Sequence, residues 1–129
     1  MIGGYLLKKI FFIVLSVVLL MTGCSLSKEE ITKDNLTIQP GHFNILIVTE
    51  NKEYIKNTNL NVYKEISNST VDRSEIKYYV IWTWDRGDWN YTKAYNIEKY
   101  PTFLVFDYKD LVLQTTDITE LKEFFATKQ

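Results

Sequence analysis

Cysteine is almost absent from this chain of 129 residues, in which Cys24 is the only one. A lone thiol cannot close an internal disulfide, and it cannot build a multi-cysteine metal site. Thiol–disulfide exchange needs an attacking thiolate and usually a resolving thiol, and the chain holds no such pair. We therefore expect no redox activity of its own, no metal centre and no cofactor.

Histidine and excess positive charge are scarce too. His42 is the only histidine, and one histidine without clustered ligands is more often an ordinary surface residue than a metal ligand or an acid–base catalyst. No Gly-x-Ser-x-Gly turn marks a serine nucleophile. The chain has 15 Lys and Arg against 16 Asp and Glu, a formal net charge of −1. That balance excludes the strongly basic surface that nucleic acids require, so we expect no nucleic-acid partner.

One long apolar run stands near the start of the chain. Lys8 and Lys9 precede Ile10–Met21, which is apolar apart from Ser16, and Thr22-Gly23-Cys24 follows. A basic segment, an apolar core of about a dozen residues and small residues before a cleavage point are typical of a secretory signal. The run is shorter than the roughly 20 residues that span a bilayer comfortably. We predict that residues 1–23 are a signal peptide.

The end of this segment carries a more specific pattern. Met21-Thr-Gly-Cys24 resembles the bacterial lipobox, with Met21 where that family usually has leucine. The resemblance implies that the Cys24 sulfur receives a diacylglyceryl group and that Cys24 becomes residue one after cleavage. Two acyl chains anchor a protein durably, so we expect attachment to the outer side of a bacterial cell membrane. The alternative is a plain signal peptide or membrane anchor with an unrelated cysteine.

The turn signal Pro40-Gly41 divides what remains. Residues 25–39 before it are polar, mix both charge signs and show no sustained periodicity. We interpret residues 24–41 as the lipidated cysteine and a mobile tether. Residues 42–129 are long enough for one modest domain with its own core.

Within this domain, four short apolar runs bounded by turn signals predict strands. They are His42–Val48, Lys77–Trp84, Thr102–Phe106 and Leu111–Thr115. Helical spacing predicts a helix over Lys52–Ser67, with Thr49 or Asn51 as its cap, and Asn68–Ser74 reads as a loop. A short helix capped by Asp88 should run to about Asn96. A last helix should begin at a capping-box-like Asp117 and Glu120 and bury one face, formed by Ile118, Leu121, Phe124 and Phe125.

This order, β-α-β-α-β-β-α, predicts an α/β fold with a four-stranded mixed sheet and helices on both faces. Right-handed crossovers make the first three strands candidates for parallel pairing. The tight turn Asp107-Tyr-Lys-Asp110 makes the last two strands antiparallel.

From about His42 to Lys128 the chain resembles the thioredoxin fold. Ala94-Tyr-Asn-Ile-Glu-Lys-Tyr-Pro-Thr-Phe-Leu-Val-Phe106 is similar to the stretch around that family's proline, and Leu121-Lys-Glu-Phe-Phe125 to its closing helix. The resemblance implies a thioredoxin-like domain in which the Tyr100–Pro101 bond is cis and Pro101 faces the start of the first helix. The family's redox dithiol would stand near Thr49–Glu53, where no cysteine occurs, so its redox activity does not carry over.

An aromatic cluster is the clearest candidate for a binding surface. Its members crowd the exit of the second strand and the proline turn: Trp82, Trp84, Trp89, Tyr91, Tyr95 and Tyr100. In the resembled fold this edge is a substrate groove, which here consists of Glu50, Asn51, Trp84, Asp85, Trp89, Tyr100 and Pro101. Exposed rings beside a groove suit peptide or glycan contacts. The alternative is that most rings pack the small helix onto the sheet, and we expect Trp84, Trp89 and Tyr100 to be partly exposed.

Asp85 and Asp88 flank Arg86-Gly87, and we interpret them as a turn acid and a helix cap rather than as a catalytic carboxylate pair.

These observations predict a non-catalytic, thioredoxin-like lipoprotein outside a bacterial membrane. It would act by binding or as an accessory envelope factor, with envelope or secreted proteins or cell-wall glycan as partners. Two alternatives stay open. The first is a thiol–disulfide or chaperone-like helper for secreted proteins that uses a partner's thiol. The second is a purely structural lipoprotein associated with the cell wall.

Overall fold

The computed structural model describes residues 2–21, 25–67 and 77–127 of the chain. The strands of this part are β1 (His42–Thr49), β2 (Lys77–Trp84), β3 (Thr102–Phe106) and β4 (Leu111–Thr115). Its helices are α1 (Ile2–Met21), α2 (Lys28–Asn35), α3 (Glu53–Asn57), α4 (Val62–Ser67), α5 (Tyr91–Ala94) and α6 (Ile118–Ala126). The four predicted strands are confirmed, and β1 is one residue longer than predicted.

The strands form one mixed sheet in the order β2-β1-β3-β4. β1 and β2 are parallel and β3 and β4 antiparallel, as predicted. The predicted parallel pairing of the third strand is wrong, because β3 runs antiparallel to β1, with Val48 opposite Thr102 and Asn44 opposite Phe106. β2 ends beside Thr49 and β3 begins beside Val48, so the chain enters β3 from the end of the sheet at which it left β2. The connecting residues 85–101, which include the short helix α5, do not carry the chain back along the sheet.

The two central strands, β1 and β3, are buried on both faces. Their odd-numbered residues pack against α4 and α6 in a first core, which consists of Phe43, Ile45, Ile47, Val62, Ile66, Phe103, Val105, Leu121 and Phe125. Their even-numbered residues pack against α2 and α5 in a second core, which consists of Ile31, Leu46, Val48, Tyr91, Tyr95, Ile97, Leu104 and Phe106. On the edge strand β2, by contrast, Tyr79 and Ile81 are 50% and 44% exposed.

The interpretation of residues 25–41 as a mobile tether is wrong, because α2 is part of the domain. Its Ile31 is fully buried in the second core. Before the helix, the Leu26 amide donates to the carbonyl of Asp88 at 3.0 Å. After it, the Thr37 amide donates to the carbonyl of Asp107, also at 3.0 Å. The segment therefore lies across the sheet and is held at both ends.

The missed helix has a physical explanation. Only Ile31 of its eight residues is buried, so no repeated apolar spacing marks an amphipathic face. A start signal is nonetheless present, since Ser27 precedes Glu30 by the three residues of a capping box. The Ser27 hydroxyl oxygen accepts a hydrogen bond from the Glu30 amide at 3.2 Å.

The predicted helix Lys52–Ser67 is interrupted and forms the two short helices α3 and α4. Between them the Thr58 hydroxyl accepts from the Leu60 amide at 3.2 Å. The Asn61 side chain accepts from the Lys64 amide at 3.1 Å and so caps α4. Short polar side chains compete with helical hydrogen bonds in this way, which breaks the helix where asparagine and threonine accumulate.

The last helix agrees with its predicted start and buried face. The Asp117 carboxylate accepts from the Thr119 amide at 2.8 Å, and Leu121 and Phe125 are buried in the first core. Glu120 does not complete the predicted capping box, because its carboxylate accepts from the Thr115 hydroxyl instead. That hydroxyl in turn accepts from the Asp117 amide at 3.0 Å.

The predicted signal peptide overlaps α1, whose side chains are exposed from residue 3 to residue 14. Within the described ranges, no helix combines the length and the apolarity needed to cross a membrane. Cys24 lies outside these ranges, as does the predicted loop Asn68–Ser74. Lipid attachment at Cys24 therefore stays a prediction.

Docking of α2 can be tested by truncating its buried side chain. We expect Ile31→Ala to lower the free energy of unfolding by about 2–5 kcal/mol, because it leaves a cavity between the helix and the sheet. The matched control is Ile38→Ala, since Ile38 is 99% exposed and its truncation should change stability by about 0.5 kcal/mol at most. Denaturant midpoints measure both effects. Equal midpoints for the two variants would contradict the packing of α2 on the sheet.

Candidate functional site

The carboxyl ends of β1 and β2 and the start of β3 lie at one end of the sheet. Thr49, the last residue of β1, is opposite Trp84, the last residue of β2. On the other side of β1, Val48 is opposite Thr102, which places the preceding Pro101 level with Thr49. We call this region, residues 49–51, 84–90 and 100–101, the proline end. The opposite end, which contains the turn 107–110, is the hairpin end.

The Tyr100–Pro101 peptide bond is cis, as the resemblance implied. Pro101 is half-buried and Thr102 is buried. The Thr102 hydroxyl donates to the carbonyl of Lys99 at 2.6 Å. The proline turn is thus tied directly to the first residue of β3.

The stretch after β1 is polar, and its side chains hold the backbone. Thr49 is buried, and its hydroxyl lies 3.0 Å from the carbonyl oxygen of Asn51 and 3.3 Å from that of Thr83. The Asn51 side-chain oxygen accepts from the amides of Glu53 at 3.1 Å and Tyr54 at 3.3 Å. Asn51 therefore caps α3, which confirms one of the two predicted capping residues. Glu50 is exposed.

A tight turn follows β2. Arg86 and Trp89 exchange backbone hydrogen bonds of 3.0 and 2.9 Å, and Gly87 has a φ of 53°, which glycine adopts without steric cost. The Arg86 guanidinium lies 4.6 Å from the centre of the Trp84 ring, within cation–π range. The turn therefore places a cation on the ring at the end of β2.

The predicted capping role of Asp88 is wrong. The turn extends to Trp89, so α5 begins only at Tyr91. Its cap is Asn90, whose side chain accepts from the Lys93 amide at 2.9 Å. Asp85 also supports this helix, because its carboxylate accepts from the Thr92 amide at 3.1 Å. This contact agrees with the interpretation of Asp85 as a turn acid.

The aromatic residues divide into buried and half-buried groups. Tyr91 and Tyr95 are buried in the second core, at 6% and 3% exposure. The expectation of partial exposure is confirmed for Trp84, Trp89 and Tyr100. Trp89 and Tyr100 also pack against the second core, so part of each ring is structural, as the alternative interpretation required.

Thr92 connects the turn after β2 with the proline turn, and it was not among the residues predicted from the sequence. Its hydroxyl shares a hydrogen bond with the Tyr100 hydroxyl, and its amide bonds to Asp85. These partners are eight and seven residues away, so no local pattern identifies Thr92. Leu26, which bonds to the Asp88 carbonyl, was missed for the same reason.

The structure therefore brings Trp84, Asp85, Trp89, Tyr100 and Pro101 to one end of the sheet, and the β1 register brings the exposed Glu50 and the capping Asn51 to the same end.

Two cavities lie on other parts of the surface. A cavity of about 470 Å³ lies beside the start of β3 and the end of β4, and includes Asn96, Thr102 and Glu120. A second, of about 450 Å³, lies between α2 and the turn 107–110. In the described ranges, no group of three or more His, Cys, Asp or Glu side chains is placed to hold a metal ion.

A scan of protein-family models, a search of curated proteins and a search of solved structures gave no match to this chain.

One of the two buried tyrosines of the aromatic cluster, Tyr95, predicts a pH dependence of stability. Burial raises the pKa of Tyr95 above its ordinary value of 10.0, although the hydrogen bond that its hydroxyl shares with the Thr32 hydroxyl acts in the opposite direction. As the pH rises, the unfolded chain loses this proton before the folded chain does. The contribution of Tyr95 to the free energy of unfolding is therefore fully present below pH 10.0 and is lost as the pH rises through the raised pKa. We expect Tyr95→Phe to lessen this alkaline loss in denaturant titrations. Tyr108→Phe, at an exposed position of the hairpin end, should keep the full loss. Identical alkaline profiles for the two variants would contradict the assignment.

Proposed function

We propose that the chain is a lipid-anchored, thioredoxin-like domain that acts outside a bacterial cell membrane by binding rather than by catalysis. The observation that carries this proposal is the composition of the proline end. Where the resembled family has its dithiol, this chain has Thr49-Glu-Asn-Lys-Glu53, and the Asn51 side chain caps a helix.

The fold supports the first half of the proposal. The sheet order β2-β1-β3-β4, with helices packed on both faces of the central strands, is compatible with a thioredoxin-like domain. The cis bond before Pro101 stands where the sequence resemblance implied it. The lipobox-like Met21-Thr-Gly-Cys24 supports the anchor.

The polar groups of the proline end support the second half of the proposal, which is that the domain binds rather than catalyses. The Asp85 carboxylate accepts from the backbone of α5, the Asn51 oxygen from the backbone of α3, and the Tyr100 hydroxyl is paired with Thr92. A general acid, base or nucleophile must be free to reach a substrate, whereas these groups are engaged in holding the fold.

What remains at the surface suits contact rather than chemistry. Trp84, Trp89 and Tyr100 are half-buried and Glu50 and Arg86 are exposed. Aromatic rings with a polar edge supply large contact areas at low entropic cost, which makes them frequent anchors of binding surfaces.

The anchor is tested by replacing the single thiol. We expect the wild-type protein to incorporate a labelled fatty acid and to sediment with membranes. Cys24→Ser should carry no label, because an acyl chain cannot be transferred to a missing sulfur, and should lose durable membrane attachment. Ser25→Ala, at the next position, should behave like the wild type. A labelled Cys24→Ser variant, or an unlabelled wild-type protein, would contradict lipidation at this residue.

The binding surface is tested with two tyrosines that flank the same strand. Tyr100 precedes β3 at the proline end, and Tyr108 follows β3 at the hairpin end. A photo-crosslinking amino acid at position 100 should give adducts with envelope components in intact cells, because the half-buried ring lies in the candidate surface. The same amino acid at position 108 should give far fewer. Equal yields from the two positions, or none from position 100, would remove the proline end from consideration.

A further inference from the structure

The segment that follows Cys24, described from Ser25 onward, begins at the proline end. Leu26 is half-buried, packs against the second core and donates its amide to the Asp88 carbonyl at 3.0 Å. From there α2 runs to the hairpin end, where the Thr37 amide donates to the Asp107 carbonyl. The first residues after Cys24 are therefore fixed beside the turn that carries Trp84 and Trp89.

The distance between the anchor and the domain is limited by the few residues of chain that join them. Only Ser25 lies between Cys24 and Leu26, and an extended chain covers about 7 Å over these two steps. A mobile tether over residues 24–41 would have let the domain move far from the bilayer and turn freely. Because α2 is packed on the sheet instead, an acyl chain on Cys24 would keep the proline end within a few residues' reach of the headgroup layer.

The side chains at this end are of the kind that occupies such a layer. Trp84, Trp89 and Tyr100 are half-buried, and Trp and Tyr concentrate at membrane interfaces because each ring is apolar with a polar edge. Arg86 is exposed and lies on the Trp84 ring. Its long stem can lie along an apolar surface while the guanidinium reaches a phosphate.

The charges at this end decide which property of the membrane is recognised. Glu50, Asp85 and Asp88 are all exposed beside Arg86, so the surface has no positive excess. Attraction to anionic lipid, which requires clustered Lys and Arg, does not hold it in place. The contact depends on the rings and the short connection to the anchor.

We propose that the proline end is a docking surface for the phospholipid headgroup layer of the membrane that anchors Cys24, so that the groove residues face the bilayer. This inference rests on the proposed lipidation and names the partner of the proposed binding surface. It also assigns Leu26 a role, since the Leu26–Asp88 hydrogen bond fixes the orientation of the domain relative to its anchor.

Tryptophan fluorescence tests the orientation in the acylated, processed protein that begins at Cys24, reconstituted into phosphatidylcholine vesicles that contain lipid spin-labelled near the headgroup. Three variants each keep one of Trp82, Trp84 and Trp89, with the other two replaced by phenylalanine. Trp82 is the control, because its ring lies 6.4 Å from that of Tyr54 and packs against the first core. We expect the lipid-borne quencher to reduce the emission of Trp84 and Trp89 strongly and that of Trp82 weakly. Acrylamide in the water should show the reverse order.

A longer connection supplies the second test. A flexible Gly-Ser segment inserted between Ser25 and Leu26 should reduce the quenching of Trp84 and Trp89, because it releases the domain from the headgroup layer. The same segment between Gln39 and Pro40, at exposed positions before β1, leaves the anchor distance unchanged and should preserve the quenching. Addition of phosphatidylglycerol to the vesicles should not change the quenching in either insertion variant.

The outcomes separate this inference from the proposed function. Vesicle-bound protein whose Trp84 and Trp89 stay open to acrylamide would overturn the docking surface and leave lipidation intact, with the groove free for a protein or glycan. Quenching that survives the longer connection, or that requires phosphatidylglycerol, would also overturn it. Protein that fails to acquire an acyl chain would contradict the anchor itself, which fatty-acid labelling detects independently.

Discussion

The two-sided burial of β1 is the constraint on which the rest of this domain depends. Ile45 and Ile47 point to one face and Leu46 and Val48 to the other, and all four are at most 1% exposed. A strand with apolar residues on both faces needs a layer of helices on each. The last helix and α4 supply the first layer, and α5, with only four residues, is too short to supply the second alone. That is why α2 belongs to the domain and not to a linker.

The position of α2 then links the core to the surface. Ile31 completes the second core, and the residues on either side of the helix bond to the turns at the two ends of the sheet. Ile31, the partly buried Leu26 and Leu36 and the two backbone hydrogen bonds together determine where the segment before β1 meets the domain. The geometry of any attachment at Cys24 follows from packing in the core rather than from the linker.

The proline end combines structural hydrogen bonds with partly exposed rings. Its acids and amides hold the starts of α3 and α5, and two of its rings cover the edge of the second core. These hydrogen bonds hold the turns that carry the rings, and the rings are partly exposed at one end of the sheet. The proposed binding role depends on this arrangement.

Local patterns in the sequence determined the four strands, the cap and buried face of α6 and the position of the proline turn. Each of these depends on neighbours along the chain: β-branched and aromatic runs bounded by turn residues, or Asp117 two residues before the amide that it caps. The candidate groove was proposed only through the resemblance to a known fold, and Thr92 and Leu26 were not predictable at all. The direction of β3, the docking of α2 and the break between α3 and α4 were decided by the tertiary structure. They depend on which end of the sheet the chain has reached, on one isoleucine that fills a space left by other elements, and on polar side chains that compete with helical hydrogen bonds.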